Sequence, residues 1–274
     1  MAKKPQKHPK RPYYAQHFLK SEKLVRTLVE NSSISTADTV YEIGPGRGII
    51  TAELAHRAKK VIAIEKDRHL LPKLKRQFRT ADHVHIIGQD FLRYQIRDVQ
   101  YKIFANIPYN ITADLVRKIL YSSPAPQDAY LIMQKEAARK FVGHPHETRF
   151  SILAKPYFTF EIVRSLRKSD FSPAPRVDSV LLHIQKRRTR LVAKEDGTDY
   201  RNFVMYGFSG RRANLQRTFR SIFTPHQWQR LAKTWRFPLD SLPTALSLEQ
   251  WLGLFNCFMT KVDQHKRKQV MRRR

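Results

Sequence analysis

The chain has 274 residues, with 52 Lys and Arg against 23 Asp and Glu, which gives a net charge of +29. A surplus of this size predicts binding to a polyanion, either nucleic acid or an anionic membrane surface. No apolar run approaches the roughly 20 residues of a bilayer span, and the basic N-terminus lacks the apolar stretch of a secretory signal. One cysteine, Cys257, excludes internal disulfides and cysteine-cluster zinc sites. We therefore expect a cytoplasmic protein that binds a polyanion.

In the first part of the chain, short apolar runs typical of strands alternate with segments whose apolar residues have helical spacing. Residues 1–12 are basic and proline-rich, which predicts a tail that is disordered until it contacts phosphate. Predicted strands follow at 40–43, 61–65, 83–88, 101–106 and 129–134, with helices at 49–58, 67–79, 112–121 and from Lys135. This order is typical of an α/β fold in which helices cover both faces of a mainly parallel sheet.

The second part of the chain is mostly helical. Residues 158–163 and 179–184 are predicted to pair as strands near one edge of the sheet, and the composition changes at 185–190. Beyond this point, helical patterns at 199–208, 211–223, 225–236 and 247–260 predict a small all-helical domain. The predicted domains are a basic tail (1–12), a catalytic domain (13–186), a helical C-terminal domain (187–264) and a second basic tail (265–274).

A glycine-rich turn, G-P-G-R-G at 44–48, follows the first predicted strand. Glycines let the backbone approach a ligand closely, and the N-terminus of the next helix favours an anion. A Walker loop needs Gly-Lys-Ser/Thr, whereas Ile-Ile-Thr follows Gly48 here, and the dinucleotide fingerprint G-x-G-x-x-G fits poorly. The turn therefore favours a site for S-adenosylmethionine without excluding NAD.

Acidic residues follow the next two strands. Glu65 is placed to bind ribose hydroxyls, Asp90 to accept from an adenine amino group, and Phe91 to stack on the adenine ring. Each carboxylate alone is more often a helix cap or a solvated turn residue. Because strand ends converge on one crevice in such sheets, the set predicts a cofactor that contains adenosine.

The stretch F-A-N-I-P-Y-N-I at 104–111 ends the fourth predicted strand. Pro108 favours an extended Ile107, so backbone carbonyls and the Asn106 amide oxygen can act together as acceptors for an aromatic amine. Tyr109 can stack on the base that carries this amine. The alternative is a simple turn with an aromatic residue packed at its edge.

Five motifs together resemble the ribosomal RNA adenine N6-methyltransferases, a family that contains the Erm macrolide-resistance enzymes and the 16S rRNA dimethyladenosine transferases. The motifs are Q-H-F-L (16–19), Y-E-I-G-P-G-R-G (41–48), Q-D-F (89–91), N-I-P-Y-N-I-T (106–112) and F-S-P-A-P-R-V-D-S-V (171–180). The resemblance covers about residues 13–260. It implies a Rossmann-like class I methyltransferase fold and S-adenosylmethionine as the cofactor.

The resemblance also implies a role for individual residues. The implied catalytic residues are Asn106, Tyr109 and Phe171, with Phe171 as the second aromatic face for the target adenine. The implied cofactor-binding residues are Gln16, His17, Leu19, Gly44, Gly46, Glu65, Asp90, Phe91 and Asn106. The family usually has Asn where this chain has His17, so a side-chain contact at that position is open while a backbone contact can persist.

Details of three segments favour the Erm branch. N-I-P-Y is usual in Erm proteins and N-L-P-Y in the 16S enzymes, and G-F-S-G-R-R (207–212) and L-S-L-E-Q-W-L-G-L-F (246–255) also resemble Erm proteins. L-I-M-Q-K-E-A-A-R-K (131–140) resembles the 16S enzymes as well. We expect a monomer that acts on 23S rRNA and binds no membrane. The basic residues expected to contact phosphate are Arg11, Lys20, Arg117, Arg139, Arg211 and Arg212.

Three other classes of function fit less well. A non-catalytic RNA-binding or assembly factor is disfavoured because it would not need the cofactor pocket that the motifs predict. An NAD-dependent oxidoreductase is disfavoured because its substrate would not explain the net charge of +29. The pairs His83/His85 and His144/His146 have no further ligand cluster near them in sequence, so we expect no metal site.

Overall fold

A computed structural model describes residues 17–210 and 214–271. Its strands confirm the alternation predicted from Val40 onward and add a short pair, β1 and β8. The strands are β1 (Phe18–Leu19), β2 (Thr39–Ile43), β3 (Lys60–Glu65), β4 (Val84–Gly88), β5 (Lys102–Asn106), β6 (Asp128–Gln134), β7 (Phe158–Leu166), β8 (Phe171–Ser172) and β9 (Ser179–Lys186).

Seven of these strands form one sheet in the order β4-β3-β2-β5-β6-β9-β7. Strands β2 to β6 are parallel, whereas β9 runs antiparallel to both β6 and β7. The predicted strand pair therefore lies at one edge, as expected. Because the other strands are parallel, their carboxyl ends meet at one edge of the sheet, which brings the end of β3 beside that of β2 and the end of β2 beside that of β5.

The helices are α1 (Glu22–Glu30), α2 (Ile49–Arg57), α3 (Leu71–Gln77), α4 (Thr112–Tyr121), α5 (Lys135–Val142), α6 (Arg149–Ala154), α7 (Gly197–Gly207), α8 (Leu215–Thr218), α9 (Pro225–Trp235), α10 (Leu248–Lys261) and α11 (Gln264–Met271). Helices α1 and α2 pack on one face of the sheet, and α4 and α5 pack on the other. Both faces are thus covered, as the apolar strands require. None of these helices is long and apolar enough to cross a membrane.

Helix α1 was not predicted, although its sequence explains it. Ser21 caps its N-terminus by accepting a hydrogen bond from the Leu24 amide at 3.1 Å. Val25, Leu28 and Val29 recur at helical spacing and are buried against the sheet.

The C-terminal helices enclose a second hydrophobic core, rich in aromatic residues from α7, α9 and α10. Ile152 of α6 belongs to this core, so the boundary between the two parts of the chain is a shared contact surface. The segment from residue 265 that was predicted to be a basic tail is helical up to Met271. Residues 264–271 form α11, and Val270, which is fully buried, anchors this basic helix to the core. Helix α8 is also much shorter than the predicted 211–223.

Candidate active site

The glycine-rich turn after β2 adopts a conformation that favours glycine. Gly44, Gly46 and Gly48 have φ angles of 69°, 59° and 82°, in the left-handed region that side chains rarely adopt. A Cβ on Gly46 would also lie 2.7 Å from the ring of Phe18. The turn therefore leaves a cradle at the carboxyl end of β2 that larger residues would fill.

Glu65, at the end of β3, holds this turn in place. Its Oε2 accepts a hydrogen bond from the Gly46 amide at 3.0 Å, and its Oε1 accepts one from the Asp67 amide at 2.8 Å. Burial raises the pKa of the Glu65 carboxyl, although these two amide donors oppose the rise. Each carboxylate oxygen keeps a second lone pair, so the anchored side chain can still accept from a ligand.

A cleft of about 690 Å³ opens between the ends of β2, β3 and β4 and the start of α4. Its lining includes Gly44, Glu65, Asp90, Phe91 and Leu115. The structure thus brings together the three strand-end features that predicted an adenosine site. Apolar walls with a few fixed polar groups are typical of sites for small cofactors.

Asp90 and Phe91 are both held by lysines. Asp90 Oδ2 lies 2.7 Å from Lys66 Nζ, and its Oδ1 accepts from the Leu92 amide at 3.0 Å. Burial alone would raise the pKa of Asp90, but Lys66 and the Leu92 amide outweigh it and lower the pKa. Phe91 is 4% exposed, with Lys118 Nζ 5.2 Å from the centre of its ring. Lys118 Nζ also donates to the Leu92 carbonyl at 2.9 Å, which fixes this loop to α4.

A second, smaller pocket of about 410 Å³ adjoins the cleft. It is lined by His17, Phe18, Gly44, Gly46, Asn106, Ile107, Pro108 and Tyr109. Gly44 and Pro108 line both spaces. A ligand in the cleft can therefore reach the pocket that contains the N-I-P-Y tetrad.

Asn106 has a fixed orientation in this pocket. Its side-chain nitrogen donates to the main-chain carbonyl of His17 at 2.7 Å. Since a carbonyl only accepts, the contacting atom must be Nδ2, which assigns the amide orientation. Oδ1 has no hydrogen-bond partner among the residues that the structure describes, so it can accept from a ligand.

Tyr109 is held from two sides. Its hydroxyl and the Ser179 hydroxyl lie 2.6 Å apart, and its ring centre lies 5.3 Å from that of His17, with the planes tilted by 32°. Burial raises the pKa of Tyr109, while the contact with Ser179 opposes the rise. Ser179 is 1% exposed and was not among the predicted site residues. Only the pairing of β9 with β6 brings it close to this site.

We expect Ser179→Ala to lower the rate of the methyl transfer that the resemblance implies by about twofold to tenfold, because one hydrogen bond that orients Tyr109 is worth about 0.5–1.5 kcal/mol. Tyr109→Phe removes the same bond from the other side, so the double variant should be no worse than either single variant. Steady-state rates of the three variants would test this coupling. Additive losses would show that the two hydroxyls act independently.

Two predicted site residues do not line the cleft or the smaller pocket. Leu19 and Phe171 are 6% and 2% exposed and pair with each other between β1 and β8. Both belong to the hydrophobic core on the α1 and α2 face, and neither lines the cleft or the smaller pocket. Phe18, which sequence reasoning missed, lines the smaller pocket instead, with the guanidinium of Arg47 4.8 Å from its ring centre.

Three of the six basic residues predicted to contact phosphate lie within the part of the chain that the structure describes. Lys20 is exposed, Arg117 lies 3.5 Å from Asp114, and Arg139 lies 3.2 Å from Glu136. Gln16 of the cofactor set and Arg11, Arg211 and Arg212 of the RNA set lie outside the described residues. Within residues 17–210 and 214–271, no group of three or more His, Cys, Asp or Glu side chains could hold a metal ion.

Comparison with known families decides the identity. The family model described as "Ribosomal RNA adenine dimethylase" matches residues 7–260. The chain belongs to this family. It is an S-adenosylmethionine-dependent rRNA adenine N6-methyltransferase.

Relatives of both branches resemble this rRNA adenine N6-methyltransferase. An rRNA adenine N-6-methyltransferase from Bacillus licheniformis is 30% identical, over 93% of this chain and 89% of its own length. A ribosomal RNA small subunit methyltransferase A from Acaryochloris marina (strain MBIC 11017) is 31% identical, over 89% and 95% respectively. Among solved structures, the 23S rRNA methyltransferase ErmE has a TM-score of 0.83 and 26% identity, over 89% of this chain and all of that one.

The site of this rRNA adenine N6-methyltransferase fits S-adenosylmethionine. Gly44 lines the cleft, and a Cβ there would meet no atom within 4 Å and would enter this space, while Glu65 presents a buried carboxylate to the cleft. Asp90 and Phe91 line the far side of the same cleft. Polar groups for the sugar and the base are thus present together with apolar surface.

Proposed function

We propose that this chain transfers methyl groups to N6 of a specific adenine in 23S rRNA, and that this modification confers resistance to macrolides, lincosamides and streptogramin B. The N-I-P-Y tetrad carries the proposal, together with the Erm-like segments at 207–212 and 246–255. The similarity to the 23S rRNA methyltransferase ErmE supports it. We propose that the enzyme acts as a monomer in the cytoplasm.

A 16S rRNA dimethyladenosine transferase acting in small-subunit biogenesis is the second candidate. The relative from Acaryochloris marina is named as a small subunit methyltransferase, and its identity to this chain is 31%. Ile107, which distinguishes N-I-P-Y from N-L-P-Y, is 2% exposed and belongs to the core.

We propose that Asn106 orients the target amine. S-adenosylmethionine, when bound, supplies an electrophilic methyl group on a positively charged sulfur. Asn106 Oδ1 accepts one N6 hydrogen, and the Ile107 carbonyl accepts the other. The Pro108 carbonyl already accepts from two donors, the Ile111 amide at 3.2 Å and the Thr112 hydroxyl at 3.4 Å. Two acceptors keep the nitrogen lone pair directed at the methyl group, so orientation supplies much of the rate.

Tyr109 holds the base itself in this proposal. The adenine must leave its stack to enter the pocket, at a cost of about a few kcal/mol. Stacking on a tyrosine ring that Ser179 and His17 already fix offsets part of this cost. The amine becomes acidic as it gains the methyl group, so the transfer needs no strong base beforehand.

We propose that exposed Lys and Arg side chains hold the RNA by its phosphates. The net charge of +29 supports an electrostatic interaction, which carries little sequence information. Lys20 lies one residue beyond β1 and is exposed near the smaller pocket, whereas Arg117 and Arg139 are partly neutralised by Asp114 and Glu136. Lys20 is thus the strongest phosphate candidate among the described members of the predicted set.

The rRNA target can be tested directly. Protein-free 23S rRNA and intact 30S particles are incubated with the enzyme and a labelled methyl donor, and the modified base is mapped by primer extension. We expect label in 23S rRNA at a single adenine and none in 30S particles. Label in 30S particles alone would overturn the 23S assignment in favour of the second candidate.

A further inference from the structure

The loop after β4 and the segment that leads into α4 both line the cleft. The loop contributes Asp90, Phe91 and Leu92, and the α4 segment contributes Ile111 and Leu115. Strand β4 is the edge strand of the sheet and pairs with β3, so the loop that follows it leaves the sheet at its border. The position of this loop relative to α4 therefore depends on side-chain contacts.

Lys118 connects the two segments directly. It lies one turn beyond Leu115 in α4, and its Nζ donates to the Leu92 carbonyl at 2.9 Å and to the Tyr94 carbonyl at 2.6 Å. The same Nζ lies 5.2 Å from the ring centre of Phe91, within the range of a cation–π interaction. One ammonium group therefore holds both the backbone of the loop and its aromatic side chain.

Lys118 is placed to act on a ligand only through this loop. It is half-buried and lines a separate groove on the outer surface, with Tyr94 and Tyr121, rather than the cleft itself. Within the part of the chain that the structure describes, no ion pair involves Lys118. Burial lowers the pKa of Lys118, and the nearby Asp90 carboxylate opposes this fall. Its charge is thus directed at the loop carbonyls and the Phe91 ring.

We propose that Lys118 is a positioning residue that holds the cleft wall around Phe91 in its binding conformation and so sets the affinity for the adenosine portion of S-adenosylmethionine. A loop that is already held in this conformation loses less conformational freedom when the ligand arrives, which raises the affinity. Lys118 takes no part in the transfer itself. This role concerns the cofactor alone and is the same for a 23S or a 16S target.

Lys118→Met tests this role, because methionine keeps an unbranched apolar side chain and removes the charge and every N–H donor. Calorimetric titrations without RNA would give dissociation constants for S-adenosylmethionine, S-adenosylhomocysteine and 5′-methylthioadenosine. All three ligands contain adenosine, whereas the last lacks the amino acid portion. We expect the three constants to rise by the same factor, about tenfold, since a hydrogen bond from a charged donor contributes a factor of about this size.

Steady-state kinetics and further variants separate this role from a general loss of structure. The loss in Lys118→Met should appear in the KM for the donor, while kcat changes by less than about twofold. Lys118→Arg keeps the charge and N–H donors and should restore the affinity to within about threefold. Lys118→Gln keeps two donors without the charge and serves the same comparison if the methionine variant is too unstable to titrate. Lys233→Met, which changes an exposed lysine of α9, should bind all three ligands as the unmodified enzyme does.

Three results would overturn the proposal. The first is a set of dissociation constants that does not change in Lys118→Met. The second is a loss that spares 5′-methylthioadenosine, which would place the effect at the amino acid portion of the donor. The third is a loss confined to the KM for RNA, which would make Lys118 a phosphate contact. Mapping methylation to 16S rRNA would leave the titrations unaffected, so this experiment and the rRNA experiment fail separately.

Discussion

Asn106→Ala is expected to lower methyl transfer by about a hundredfold or more while leaving the fold intact. The variant loses the Oδ1 acceptor proposed to orient the target amine, and misplacement of a reacting group by about 1 Å can cost on the order of a hundredfold. The side chain also anchors the tetrad to the His17 carbonyl at 2.7 Å. The substitution therefore removes both the acceptor and the hydrogen bond that holds the tetrad in place.

Single-turnover rates with saturating donor and RNA would measure the effect, because they report the chemical step. Circular dichroism and thermal unfolding would check the fold, which should change little because β5 keeps its backbone pairing with β2 and β6. Asn256→Ala, at an exposed position of α10, is the matched control and should retain full activity. A rate for Asn106→Ala within threefold of the unmodified enzyme would refute the assigned role.

Glu42→Gln is expected to stabilise the protein increasingly as the pH rises from about 4.5 to 8. Glu42 lies in β2, is 1% exposed, and neither of its carboxyl oxygens has a hydrogen-bond partner among the described residues. Burial raises the pKa of Glu42 to about 8, and Glu65 adds to the rise. The hydroxyl and amide of Thr51 oppose the rise from nearby, although neither makes a hydrogen bond of good geometry with the carboxyl. The folded protein therefore keeps a proton on this carboxyl at neutral pH.

The direction of the effect follows from proton linkage. In the unfolded chain the carboxyl ionises above pH about 4.3, whereas in the folded chain it stays protonated up to about 8. Unfolding thus releases a proton between these values, and the free energy of unfolding falls by about 1.4 kcal/mol per pH unit. Glutamine cannot ionise, so the variant lacks this loss.

Urea unfolding of both proteins at pH 5, 6.5 and 8 would test the prediction. The difference in the free energy of unfolding should grow with pH and then become constant above about 8. Glu195→Gln, at an exposed position, should follow the unmodified protein throughout. Parallel pH profiles for Glu42→Gln and the unmodified protein would show that Glu42 is ionised in the fold.

The order of strands and helices around the site was predictable because it depends on local patterns. Glycine at 44, 46 and 48 predicted a turn that can approach a ligand closely, and φ is positive at each of the three in the structure. Glu65 and Asn106 end apolar segments that predict buried strands, and Asp90 follows a third predicted strand, which lies at the edge of the sheet. Once the strands are parallel, their ends must meet, so the cofactor cleft followed from periodicity and chain order.

The details of the smaller pocket depend on contacts between residues distant in sequence. Phe171 was predicted to offer an aromatic face to the target adenine, and the structure places it in a hydrophobic cluster, paired with Leu19. Ser179 contacts Tyr109 across 70 residues, and the His17 carbonyl contacts Asn106 across 89. Neither contact has a local sequence signal, because short polar side chains and main-chain carbonyls occur throughout any chain.

The sequence by itself thus determined the sheet, the cofactor cleft and the family, since hydrophobic periodicity and glycine conformation are local properties. Only the tertiary structure decided which aromatic residues line the smaller pocket and which groups hold Asn106 and Tyr109. It also decided that the basic segment after residue 264 is a packed helix, because Val270 finds a hydrophobic core there. The side of a strand or helix that becomes buried depends on what packs against it, and the fold alone supplies that partner.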